Sequence, residues 1–170
     1  MRRYAGLVAL LALTGCAQER AGSLPPPPPP PTSATAAPTA TPPRAGSEVE
    51  VAARAYYAAL ERAGRDGDVA ALRALVDPAC ECFQQVATME GYRRAHRRLT
   101  TRYSVEGLST HDVTATAGWA TVTLTYGASE LVGADGRVVS TYPGKTKVGR
   151  DLLFRKEGTT WRLVRLVLLG

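Results

Sequence analysis

Histidine is almost missing from this chain: His96 and His111 are the only two among 170 residues. One lies inside an arginine cluster and the other at the start of an expected strand. Neither has zinc-ligand spacing to a cysteine, so no metal site is expected. A phosphate-binding loop, a nucleophile motif and internal repeats are also lacking, and no cofactor is implied. Long apolar runs are missing as well. Tyr4–Leu13 covers ten residues, which at ~1.5 Å each reach about half of a ~30 Å hydrocarbon core, too short for a transmembrane helix. Lysine is scarce, 3 residues against 18 arginines, a bias seen in GC-rich bacterial genomes. The formal charge of +6 falls to +4 without Arg2 and Arg3, an ordinary balance for solubility that calls for no nucleic-acid partner.

What is present begins at the N-terminus. Arg2 and Arg3 form a positive region and Tyr4–Leu13 a short apolar one, the layout of a secretory signal. It ends in Leu13-Thr14-Gly15-Cys16 where a soluble secreted protein would show Ala-x-Ala. This end resembles a bacterial lipobox, in which the cysteine thiol receives a diacylglyceryl group and the peptide is cut just before it. The resemblance implies a signal over residues 1–15 and lipid attachment at Cys16. Two acyl chains at ~0.8 kcal/mol per buried methylene supply on the order of 20 kcal/mol, enough to hold the protein on the extracytoplasmic face of a membrane.

Composition then shifts. Residues 16–46 carry seven consecutive prolines, Pro25–Pro31, followed by "TSATAAPTATPPRAG", with almost no large apolar side chain. Such a segment cannot bury enough surface to offset its ordering entropy, so a disordered tether is expected. Its proline run, in polyproline II at ~3.1 Å per residue, would make a stiff spacer of about 20 Å.

Residues 47–170 have the size of one domain. Ser47 with Glu50 reads as a capping box, and Val49, Ala52, Ala53, Tyr56, Ala59, Leu60 and Ala63 recur at helical spacing up to Gly64. Asp68 is expected to cap a second helix with Leu72, Leu75 and Val76 on its apolar side, and Pro78 to stop it. A third helical stretch, "FQQVATMEGYRRAHRR", is expected to break near Gly91. From residue 103 the period changes to two, with strands expected in "YSVEGL", "DVTATA", "WATVTLTYGASEL", "RVVSTY", "KVGRDLLFRK" and "TWRLVRLVLL". Helices first and antiparallel strands second make an α+β fold, with the helices packed on one face of a curved sheet.

The motifs "YYAAL", "GDVAALRALVDP" and "EGTTWRLVRLVLL" in this order resemble the nuclear-transport-factor-two-like (NTF2-like) superfamily, which includes ketosteroid-isomerase-like and SnoaL-like domains. The resemblance implies a cone of bent sheet closed by three helices. The cysteine pair after the second helix also resembles a group of actinobacterial lipoproteins carrying a domain of unknown function.

Three sets of residues could carry function. Outside the cytoplasm Cys80 and Cys82 should oxidise, and residues two apart can come within bridging distance. Closing a three-residue loop contributes only about 1.6 kcal/mol, so a disulfide there is a local pin. Two free thiols, a redox-active pair and a metal site are the other readings. Arg93, Arg94, Arg97 and Arg98, at helical spacing, read either as a solvated face or as a contact for anionic headgroups or cell-wall polymers. Tyr56, Tyr92, Trp119, Tyr126, Phe154 and Trp161 could line the cone or fill it. For catalysis the candidates are thin: His111, Asp112, Asp151 and Glu106 each read more simply as surface or strand-end groups, so no catalytic residue is assigned. The expectation is a membrane-anchored binding module for an envelope protein, a wall polymer or a small apolar ligand. The alternative is a ketosteroid-isomerase-like or SnoaL-like enzyme acting on a small apolar substrate.

Overall fold

The computed structural model describes residues 45–169. The signal, Cys16 and the proline-rich tether lie outside the described residues. Three helices come first: α1 (Ala45–Asp66), α2 (Val69–Leu75) and α3 (Gln84–Arg94), the last preceded by a 3-10 turn at Glu81–Phe83. Seven strands follow: β1 (Arg98–Leu99), β2 (Tyr103–His111), β3 (Ala117–Tyr126), β4 (Ser129–Val132), β5 (Val138–Tyr142), β6 (Lys145–Glu157) and β7 (Thr160–Leu169). The main sheet has the order β2-β3-β6-β7 and the smaller one β1-β4-β5, antiparallel throughout. The helices pack on one face of this curved sheet, the α+β arrangement expected from the sequence.

The helical stripe of α1 is buried at every expected position, from Val49 to Ala63. Its ends differ from expectation. The helix already runs at Ala45, so Ser47 and Glu50 lie within it and Ser47 is not its N-cap. Glu48 is the acid that holds this end: its Oε2 accepts from Lys156 Nζ (2.6 Å) and Trp161 Nε1 (2.9 Å) on the β6–β7 hairpin. Gly64 does not close the helix either. A Cβ there would stand 3.3 Å from Leu99, so this glycine serves close packing, while Gly67, at φ +74°, takes the left-handed position after Asp66.

Asp68 occupies the N-cap of α2 without a side-chain cap bond. Leu72 and Val76 are fully buried, and Val76 bridges to Leu163 in parallel. The third helix runs through Gly91 without a break and stops at Arg94. Its end corrects the arginine reading: Arg93 and Arg94 close α3, Arg97 lies in the turn and Arg98 begins β1. All four are exposed, but they do not share one helical face.

Two strand expectations are corrected. "DVTATA" forms the β2–β3 connection, because the Thr114 hydroxyl accepts from the Ala117 N–H (2.9 Å) and satisfies the backbone locally. "WATVTLTYGASEL" is two strands. Tyr126 pairs with Lys145 and Ser129 with Tyr142, so one long hairpin continues from the main sheet into the small one. At the junction a Cβ on Gly144 would come within 2.8 Å of the backbone of Tyr126–Ala128, and only glycine permits that crossing.

Cys80 and Cys82 are bonded to each other, their Cα atoms 5.0 Å apart, and Cys80 Sγ accepts the Cys82 N–H. The pair caps the 3-10 turn leading into α3. Among the described residues no helix is long and apolar enough to cross a membrane.

Candidate functional site

The core fills one end of the sheet's concave face and leaves the other open. At the filled end Val49, Leu152, Phe154 and Leu163 are completely buried. At the open end lies a cavity of about 440 Å³, within the ~300–1,000 Å³ range of small-molecule sites. Tyr56, Tyr57 and Leu60 of α1, Gln85, Thr88, Met89 and Tyr92 of α3, Tyr103, Leu124 and Tyr126 of the sheet, and Tyr142 and Lys145 of the bent hairpin contribute to its wall. Six tyrosines thus converge from three layers. Tyr56 and Tyr57 meet edge to face at 5.0 Å, and Tyr103 bridges Tyr57 (5.6 Å) and Tyr126 (5.8 Å).

The polar groups of the wall are sharply selected. No aspartate, glutamate or histidine is among the lining residues, whereas Lys145 and Arg150 are. Arg150 is half-buried on the inward set of β6, opposite Val122 and Leu168. Among the described residues it joins no ion pair. The Tyr56 hydroxyl donates to Gln85 Oε1 at 2.5 Å. The Tyr57 hydroxyl, in a residue only 5% exposed, is buried without a hydrogen-bond partner among the described residues. A buried unpaired hydroxyl costs about 1–3 kcal/mol.

Burial pushes the phenols of Tyr56 and Tyr57 well above the ordinary tyrosine range, and raises Tyr103 to about 12. A hydrogen bond with Tyr142, then burial, raises Tyr92. At neutral pH these phenols stay protonated. They can donate hydrogen bonds, but they are not poised to take a proton from carbon or water.

Of the aromatics singled out in the sequence, Tyr56, Tyr92 and Tyr126 lie in the cavity wall. Phe154 is in the filled end, and Trp161 is at the β6–β7 turn, where its indole bonds Glu48 and carries Lys156 5.4 Å above its ring. Trp119 is on the opposite sheet face, stacked on His111 at 6.0 Å. The four catalytic candidates stay outside the cavity. Asp151, on the outer face, accepts from the Thr121 hydroxyl at 2.6 Å, with His111 Nε2 4.0 Å away. Asp112 lies beside His111, and Glu106 sits in the bulge of β2.

Sequence reading missed Tyr57, Tyr103, Tyr142 and Arg150. A signal for the last existed: Val148, Arg150, Leu152 and Phe154 share one parity in a strand, and one of the four is charged.

An α+β domain with helices on a curved antiparallel sheet, open at one end into an aromatic cavity, defines the class. Solved structures share the architecture at low identity. The intermembrane-space region of the chloroplast protein ARC6 matches with TM-score 0.55 and 14% identity, over 76% of this chain and 99% of that one. An uncharacterized protein with a cystatin-like fold from Caulobacter vibrioides matches with TM-score 0.50 and 14% identity, over 73% and 89%. A protein from the NTF2-like family from Streptomyces avermitilis matches with TM-score 0.49 and 16% identity, over 72% and 93%. No family model and no curated protein matches the chain. The likeness is one of fold.

Proposed function

We propose that this chain is a lipoprotein, anchored through Cys16 on the extracytoplasmic face of a membrane, whose folded domain binds a small, largely apolar ligand without transforming it. The observation that carries the binding reading is the cavity wall: six tyrosines and several aliphatic side chains around about 440 Å³, with no carboxylate or imidazole among them. General acid–base chemistry needs a group whose pKa lies near the operating pH. The phenols here are shifted away from it, because burial favours their neutral form. Such a wall suits capture through apolar contact and aromatic stacking, with hydroxyls fixing orientation. The concavity also favours a small molecule over a wall polymer, for which the exposed arginines Arg93, Arg94, Arg97 and Arg98 would be the contact.

Two experiments test the parts separately. With Cys16→Ser the precursor should stay uncut and take up no palmitate analogue; normal maturation would overturn the anchor. Calorimetric titration with small aromatic and aliphatic compounds should give saturable one-to-one binding. Thr88→Trp, which pushes an indole into the space, should abolish it. Turnover of any bound compound, with a base traced to the cavity, would replace binding by catalysis.

A further inference from the structure

Resting on that binding reading, we infer that the ligand is a monoanion, a small carboxylic acid with an apolar body, whose charged end is held by Arg150 with the Tyr57 hydroxyl as a second donor. The first support is the position of Arg150. It shares the inward parity of β6 with Leu152 and Phe154, both fully buried. A cation on such a face is costly without a counter-charge.

Among the described residues none forms an ion pair with Arg150. The cavity wall contains no carboxylate. Asp151, the next residue, faces the other side of the sheet and is bonded by Thr121. Glu61, the nearby acid of α1, pairs with Arg65 at 3.1 Å, accepts the Tyr103 backbone N–H at 3.4 Å and is not among the lining residues. Arg150 lines the same cavity as Tyr56, Tyr57 and Tyr103, and its charge acts on all three phenols.

Tyr57 is the second, independent observation. It lies in the cavity wall, the residue is 5% exposed, and its hydroxyl lacks an acceptor among the described residues. A protonated phenol and a guanidinium are both donors, and what they lack in common is an anionic oxygen. A carboxylate accepts from both, and charge-assisted bonds of this kind are about twice as strong as neutral ones. One half-buried arginine, with Lys145 only at the exposed mouth, suits one negative charge better than the two of a phosphomonoester. Lys145, exposed at the mouth, adds attraction during entry.

The test compares matched acids and neutral amides by calorimetry on the full chain carrying Cys16→Ser, which keeps it unacylated: 2-naphthoate with 2-naphthamide, and octanoate with octanamide. In at least one pair the acid should bind about tenfold tighter or more. Arg150→Met should bring acid and amide to similar affinity, and Tyr57→Phe should narrow the gap. If Arg150→Met does not fold, Arg150→Lys should keep a reduced preference for the acid. Equal affinity for acid and amide, or a preference that survives Arg150→Met, overturns the anion site and leaves the binding cavity standing. Absence of binding by all four compounds overturns the cavity reading itself.

Discussion

Arg150 and Asp151 are adjacent on β6 and face opposite sides of the sheet, and among the described residues only Asp151 has a side-chain partner. Asp151 on the outer face is bonded by the Thr121 hydroxyl and has His111 nearby. Arg150 on the inner face, opposite Val122 and Leu168, lines the cavity together with the tyrosines. The same contrast runs along α1. Its first turn is pinned by Glu48 to Lys156 and Trp161, whereas one turn beyond Ala53 the paired tyrosines Tyr56 and Tyr57 face the cavity. Groups whose bonds close within the chain hold the fold together. The two groups left open, Arg150 and the Tyr57 hydroxyl, belong to residues that line the same cavity.

The contrast breaks most visibly at the filled end. Phe154→Ala removes a ring that is completely buried at the centre of the core. A loss of about 3–5 kcal/mol in unfolding free energy is expected by urea titration, against no loss of lining residues from the cavity.

The neighbouring tyrosines sharpen it further. Tyr56→Phe strands Gln85 Oε1 without its donor, so a loss of about 1 kcal/mol is expected. Tyr57→Phe deletes a hydroxyl that has no partner, so its unfolding free energy should be unchanged or slightly raised. Similar losses in the two variants would show that the Tyr57 hydroxyl is satisfied after all.

Glu48 tests the pinned end through pH. Hydrogen bonds from Lys156, then Trp161, hold its carboxyl below the usual glutamate value of 4.5. A folded-state value depressed below the unfolded one contributes stability that is present above about pH 4.5 and lost as pH falls through the folded value. Glu48→Gln should therefore flatten the acid limb of the melting-temperature profile and leave the limb above neutrality unchanged. An identical acid limb in both proteins would remove Glu48 from the account.

The smallest effect is expected at the exposed arginines. Replacing Arg94, Arg97 and Arg98 with glutamine should change unfolding free energy by no more than about 0.5 kcal/mol, since all three are exposed. Salt-sensitive adsorption to anionic vesicles would separate a contact role from a solvated one: loss in the triple variant supports contact, and no change supports solvation.

Much of the architecture could be read from residue order. The seven apolar positions of α1 and the alternating strands after residue 103 state their periods openly, and the structure buries them accordingly. The misreadings have local causes. "DVTATA" alternates like a strand, but the Thr114 hydroxyl closes the backbone into a turn. Gly64 looks like a helix stop until Leu99 is seen packed against it. The arginines from Arg93 to Arg98 keep helical spacing past the point where the helix has ended, at Arg94.

For the site, less was legible. That Arg150 shares a parity with Leu152 and Phe154 is a local fact, because side chains alternate along any strand. Which parity faces inward depends on the pairing of β3 with β6 and on the helices covering that side, and neither is a property of β6 alone. The cavity belongs wholly to the tertiary structure. Tyr57, Tyr103, Tyr126 and Tyr142 come from α1, β2, β3 and β5, up to 85 residues apart in number: strand pairing sets Tyr103 beside Tyr126, α1 packs Tyr57 against Tyr103, and the small sheet adds Tyr142. Local hydrogen bonding and hydrophobic period set the elements. The open end, and the half-buried Arg150 within it, arise from how far the helices reach along the sheet, a global outcome of packing.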